Sequence, residues 1–349
     1  MKKVRDSNME LLRLLAMFLV LVFHADFLSL GAPSVNVEMS ASQWVDSSLR
    51  FFVQSLCVVC VNVFVMLSGW FGIRFSLERM LSLIFQVTFF TVIGISVNIL
   101  FWNHHLDFDD LKNIFMMNDN LWFPKSYLLL YIFSPVLNAF CVKATARQFR
   151  FVLVAMIVFQ MLYGWMTRGV GWYMGGYSTI FFIELYLLAH YVRHYVDYSR
   201  YSAPSLLGLF FAGASFMSSV WIFLTLKGFD VTRFFNVYTQ PFAVFGALAL
   251  LMLFSKCNFR SKAINYVAAS CFSVYLFHCA PGMFQHFTDI VSRLHENYGL
   301  PLFPILTLSL IMAVYAISIL LDQVRILFWR MIQRWSLFVK FVDKWQNYL

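Results

Sequence analysis

Arg13 and His24 lie in the first long apolar run of the chain, separated by ten residues. At ~100° and 1.5 Å per residue, that spacing returns both side chains to within ~20° of one helix face, ~16 Å apart along the axis. A guanidinium binds phosphate or carboxylate through several donors, and an imidazole exchanges a proton near neutral pH. One stripe therefore offers an anion anchor near the helix start and a general base about three turns deeper. Few other ionisable side chains interrupt apolar runs: Glu184, His190 and His278, with Arg74 and Arg79 at the edge of a run. His278 lies at a depth similar to His24, so two imidazoles could flank one cavity. Glu184 could orient an imidazole, pair with an arginine, or sit as a carboxyl hydrogen-bonded between helices. His190 reads as interfacial. The bland alternatives are an arginine that snorkels and a histidine bonded between helices.

These residues are conspicuous because of what surrounds them. The chain is 61% hydrophobic and 12% charged, with mean hydropathy +0.72. Soluble domains carry about 25% charged residues, so lipid must solvate most of this surface. The apolar residues come in continuous runs near the ~20 that cross hydrocarbon as a helix, not in the alternation of a barrel. The fold class is all-α, a polytopic membrane bundle of about ten transmembrane helices. The runs fall near 10–30, 50–72, 80–101, 121–141, 150–166, 177–192, 204–226, 237–254, 266–285 and 302–321. An ionisable group at such depth costs about 2.5–3.5 kcal/mol at a helix centre, which marks it as a functional candidate.

The net charge of +9 does not point to nucleic acid, because the basic residues cluster between apolar runs. With the N-terminus inside, inner segments hold 18 of the 26 Lys and Arg, including Lys2, Lys3 and Arg5, and outer segments hold 7, including Arg168. That bias places both termini in the cytoplasm and the protein, multi-pass, in the inner (plasma) membrane. The first run is too long for a signal peptide and reads as a retained helix. The six cysteines lie in or beside apolar runs, where Cys behaves as a small hydrophobe, and the Cys57-x-x-Cys60 pair has no thiol-activating neighbours. The loop 102–120 (His104, His105, Asp107, Asp109, Asp110, Asp119) has metal-ligand types but reads as a solvated acidic loop, and no metal is expected. Residues 1–321 read as one transmembrane domain, and 322–349 as a basic amphipathic tail on the inner leaflet.

Four segments, in order, resemble the acyltransferase-3 family of membrane O-acyltransferases. They are Arg13-x10-His24, FVMLSGW at 64–70 with Arg74 and Arg79 following, LWFPKSYLLLYIFSP at 121–135, and NYVAASCFSVYLFH at 265–278. Two small departures are a Cys-Phe where many relatives have Ser-Phe or Thr-Phe, and Pro124-Lys125 after Trp122-Phe123. The resemblance implies transfer of an acyl group, usually acetyl, from cytoplasmic acetyl-CoA or another acyl-CoA to a hydroxyl of an extracytoplasmic glycan or lipid-linked sugar. It implies that Arg13, Arg74 and Arg79 bind the CoA phosphates and that His24 is the base, or less simply the acyl carrier. It also implies that Ser68, Trp122 and His278 line the reaction chamber. A non-enzymatic flippase, exporter or polymerase for lipid-linked glycans would share this topology but need no CoA.

Overall fold

The computed structural model describes residues 6–118, 121–167 and 171–346. Lys2, Lys3, Arg5, Asp119 and Arg168, used in the charge and loop readings, lie outside the described residues. Among the described residues the chain is helical throughout, without strands. Helix α1 (Ser7–Phe23) continues into a π-helical turn, π1 (His24–Leu28). Helices α2 (Ala41–Cys57) and α3 (Cys60–Phe71) form one interrupted rod. Then come α4 (Leu77–Trp102), α5 (Phe108–Ile114), α6 (Trp122–Lys143), α7 (Ala146–Phe159) with π2 (Gln160–Met166), and α8 (Thr179–Tyr195). The second half holds α9 (Ala203–Leu226), α10 (Thr232–Phe235), α11 (Pro241–Lys256), α12 (Lys262–Ala269), α13 (Cys271–His278), α14 (Met283–Asn297), α15 (Leu302–Gln333) and α16 (Ser336–Gln346).

Each of the ten expected runs is helical, but they differ in reach. Seven helical stretches are long and apolar enough to cross a membrane: α1–π1, α2–α3, α4, α6, α7–π2, α9 and α15. Helices α8 and α11 have 17 and 16 residues. The run expected at 266–285 is not one helix. It breaks at Ser270, ends at His278, and turns by 83° into α14. Pro281 has no N–H to continue the ladder, and Gly282 sits at φ +72°, a conformation that glycine adopts without strain. Asn98 of α4 fastens this turn by donating to the Pro281 carbonyl at 2.7 Å.

Two boundaries also move. The α2–α3 rod starts at Ala41, not near 50, because Ser40 and Gln43 form a reciprocal capping box. At the other end, α15 runs through the expected 321/322 boundary to Gln333. Asp322 and Arg325, which look like the start of a solvated tail, are buried and bonded to each other (Arg325 Nε to Asp322 Oδ1, 2.8 Å), and Trp329 is buried below them. Beyond them α16 folds back over the start of α4, where its Gln346 side chain accepts from the Leu77 N–H at 2.9 Å.

Helix α1 is the spine of the bundle, in contact with α2, α3, α11, α12, α13 and α15. Its surroundings are drawn in tightly by α3 against α8, where a Cβ on Gly69 would stand 2.2 Å from the Tyr186 carbonyl oxygen. Lipid gives helices no hydrophobic drive to associate, so such close backbone approach is what holds them together. Gly69→Ala therefore forces α3 and α8 apart, at a cost of about 1–3 kcal/mol or more. A clear drop in the thermal denaturation midpoint of the purified protein is expected, and an unchanged midpoint would refute the packing argument.

Candidate active site

The site begins at the junction of α1 and π1. A π-helical turn widens the backbone and re-aims the side chains on it, and such turns are enriched at functional sites. Here the turn is clamped from the side. Asp26 Oδ1 accepts from Arg50 Nε at 3.0 Å and from Gln54 Nε2 at 2.6 Å, while Arg50 Nη2 reaches the Gly31 carbonyl at 2.7 Å. Gln54 is itself held by Asn236 Nδ2 at 3.0 Å. With π1 anchored to α2, His24 turns away from that clamp into the bundle, where it is buried.

His24 meets His278 there. His24 Nδ1 lies 2.8 Å from His278 Nε2, and His278 Nδ1 lies 2.7 Å from the Val274 carbonyl oxygen. A carbonyl only accepts, so in the neutral pair His278 carries its proton on Nδ1 and presents a lone pair at Nε2. His24 must then donate from Nδ1, which leaves His24 Nε2 as an unprotonated base. One backbone carbonyl thus sets the tautomers of both rings. Phe284 closes the pair from the far side, edge-on to His24 with centroids 5.6 Å apart.

Three cavities run past this pair in series. The first, about 260 Å³, is lined by Arg13, Ser68, Gln86 and Tyr127 among others. The second, about 30 Å³, lies between Met17, Val20, His24 and a set of aromatic rings. The third, about 440 Å³, opens at the far end of α1 between His24, Trp122, Tyr177 and the Cys279–Gly282 turn. Phe64, Phe123 and Phe272 are common to the first and second, and His24, Trp122, Tyr238 and Tyr275 to the second and third. Arg13 and His24 therefore face one line of cavities, with an aromatic partition between them. A separate cavity of about 280 Å³, against Phe18, Arg50 and Leu308, shares no residue with this line.

The Acyltransferase domain of the acyltransferase-3 family matches residues 6–322. The chain belongs to that family. No curated protein and no solved structure matches it. It is a multi-pass membrane acyltransferase, and the matched segment contains all three cavities.

Seen in this acyltransferase, the sequence candidates divide. His24, Arg13, Ser68 and Trp122 line the cavities, His278 backs His24 without lining them, and Ser68 Oγ bonds Tyr127 Oη at 3.0 Å. Arg13 is not a bare cation, because the half-buried guanidinium is paired with Glu10 one turn earlier. Arg79 is exposed on the α4 face that carries Leu83 and Gln86 of the first cavity, and Arg74 is exposed in the α3–α4 turn. Glu184 is brought to none of these. Fully buried on α8, it pairs with no cation among the described residues, and Tyr173 is the polar side chain beside it. His190 stacks on Phe149 at 6.2 Å. The acidic loop is consumed locally, with Asp107 capping α5 and Asp110 bonded to His104 at 2.7 Å.

Sequence reasoning missed Glu10, Gln86, Tyr127, Tyr177, Tyr238 and Cys279. Glu10 alone had a readable signal, since it stands three residues before Arg13 on the same helix face. Because Glu184 touches neither imidazole, Glu184→Gln is expected to keep acyl transfer within about threefold of the native rate. A loss of the 10²–10⁴-fold size typical of a missing acid–base group would show that Glu184 acts in the reaction after all.

Proposed function

We propose that this acyltransferase moves an acyl group, in the simplest case acetyl, from cytoplasmic acyl-CoA to a hydroxyl of a glycan or lipid-linked sugar presented from the opposite side of the plasma membrane. The observation that carries the reading is the base on His24, held in one tautomer by His278 where the narrow middle cavity meets the third. The CoA phosphates dock at the Arg13 end, with Arg74 and Arg79 outside it. The pantetheine arm lies along the first cavity, with Ser68, Tyr127 and Gln86 as polar wall, and the thioester passes the aromatic partition.

The acceptor hydroxyl enters through the third cavity and gives its proton to His24 Nε2 as its oxygen attacks the thioester carbonyl. The His24 imidazolium is stabilised by its bond to His278, whose orientation Val274 fixes. When the tetrahedral intermediate collapses, the C–S bond breaks and the thiolate of CoA takes the proton back from His24. The balance is an ester and a free CoA thiol. The phenolic O–H groups of Tyr177, Tyr238 and Tyr275 line the chamber and are the donors closest to the carbonyl oxygen that becomes negative.

Two experiments test this. His24→Ala should lower transfer by about 10²–10⁴-fold, with His278→Ala less severe, measured as acetylation of surface glycan by mass at matched expression. Unchanged acetylation in His24→Ala would end the assignment. Arg13→Ala should raise KM for acetyl-CoA by about tenfold to a hundredfold, the worth of a charge-assisted bond, with a smaller change in kcat. Glu10→Gln should move KM the other way, because it frees the guanidinium from its competing carboxylate. An unaltered KM in both variants would remove Arg13 from donor docking.

A further inference from the structure

Cys279 opens the turn between α13 and α14 and has no place in the proton transfer just described. Its Sγ stands 3.3 Å from His278 Nε2 and 3.9 Å from His24 Nδ1, and those two nitrogens are 2.8 Å apart. Tetrahedral zinc has Zn–N of ~2.0–2.1 Å and Zn–S of ~2.3 Å, which sets ligand atoms about 3.3 Å apart for N···N and about 3.6 Å apart for N···S. The three side-chain donors already stand within about half an ångström of that triangle. They come from two elements, π1 and the end of α13, each fixed by its own anchors: the Asp26 clamp and the Asn98 bond to Pro281.

We propose that His24, His278 and Cys279 form a binding site for a soft divalent cation of the Zn²⁺ type, and that filling it switches the transferase off. Two imidazoles and a thiolate favour zinc or copper over magnesium and calcium, which want oxygen ligands. The outer support that metal-binding histidines usually have is present, since His278 Nδ1–H is held by the Val274 carbonyl at 2.7 Å and its Nε2 faces the site. The third cavity, about 440 Å³ and lined by both His24 and Cys279, supplies the path in and room for a water as fourth ligand.

Inhibition rests on the reading of His24 as the base and follows from where the protons go. A cation on His24 Nδ1 takes that lone pair, so the ring proton moves to Nε2 and the base is lost. The thiol proton of Cys279 leaves to solvent, so binding releases one proton per metal. No electron is transferred.

The test uses the full-length protein purified in micelles and titrated with Co²⁺ as a spectroscopic probe. One equivalent should give thiolate-to-cobalt charge-transfer absorption that Cys279→Ser abolishes and Cys257→Ser or Cys57→Ser retains. Zn²⁺ should also shield Cys279 of the unmodified protein from maleimide, read by peptide mass, which needs no variant to fold. In transfer assays Zn²⁺ should inhibit reversibly, Mg²⁺ should not, and Cys279→Ser should need at least tenfold more Zn²⁺ for the same inhibition. Absence of the cobalt band, or maleimide labelling unaffected by Zn²⁺, overturns the site. The cobalt and labelling readouts need no substrate, so they fail or succeed separately from acyl transfer. Equal zinc sensitivity in Cys279→Ser, with His24-dependent transfer intact, refutes the switch alone.

Discussion

The bond from His278 Nδ1–H to the Val274 carbonyl is the constraint from which the proposed chemistry descends. A carbonyl cannot donate, so one ring is forced to face its neighbour with a lone pair, and the neighbour, which must donate to it, is left with its own lone pair on Nε2. Nothing charged is needed to set this up. That economy matters in hydrocarbon, where a carboxylate orienting an imidazole would have to be desolvated at a cost of several kcal/mol. Helix α13 supplies the acceptor from its own ladder, four residues before the histidine, and α1 supplies the partner. The histidine pair is therefore a property of two helices meeting.

What makes them meet is spread widely. The π-helical turn carries His24, and its Asp26 is tied to α2 through Arg50 and Gln54. The abrupt end of α13 is tied to α4 through Asn98. Tyr315 of α15 donates to the Leu14 carbonyl at 2.9 Å, and Asn8 donates to the Phe254 carbonyl of α11 at 2.8 Å. Side chain to backbone bonds of this kind replace the hydrophobic drive that lipid does not provide. The Asn8 and Asn98 bonds reach carbonyls at the end or break of a helix, where backbone groups lack intrahelical partners, while the Tyr315 bond reaches a carbonyl inside α1.

Much of this could be read from the chain before any coordinates. The all-helical membrane class follows from composition together with the length of the unbroken apolar runs, and the alignment of Arg13 with His24 follows from a spacing of three turns. Both rest on periodicity within one element, which a sequence displays directly. The break at Cys279–Gly282 was harder, because the residues around it are as apolar as a continuous span and only Pro281-Gly282 betrays the turn. The continuation of the last long helix past 321 was hidden for the opposite reason. Asp322 and Arg325 look solvated as letters, but they satisfy each other inside the bundle. Partnership between distant elements has no local signal, so His24 with His278 could only be conjectured from depth, Ser68 with Tyr127 went unseen, and Glu184 looked more useful than its surroundings allow.

The aromatic partition between the first and third cavities has a consequence for the cell's energy supply. A protein that exposes a cytoplasmic pocket and an opposite pocket on one axis risks becoming a leak, and each proton crossing dissipates about 2.3 kcal/mol per 100 mV of potential. The narrow middle, about 30 Å³ walled by Phe64, Phe123, Phe272 and Tyr275 among others, has room for about two or three water molecules at most. A hydrated ion or a proton-conducting file of waters is disfavoured at such an apolar constriction, which drains by dewetting. An acyl thioester needs the rings to part, but as an uncharged group it sheds no ionic hydration shell in passing. In the proposed reaction the same rings that guide a substrate tail act as a seal against ions, so acylation across the bilayer need not short-circuit the membrane battery.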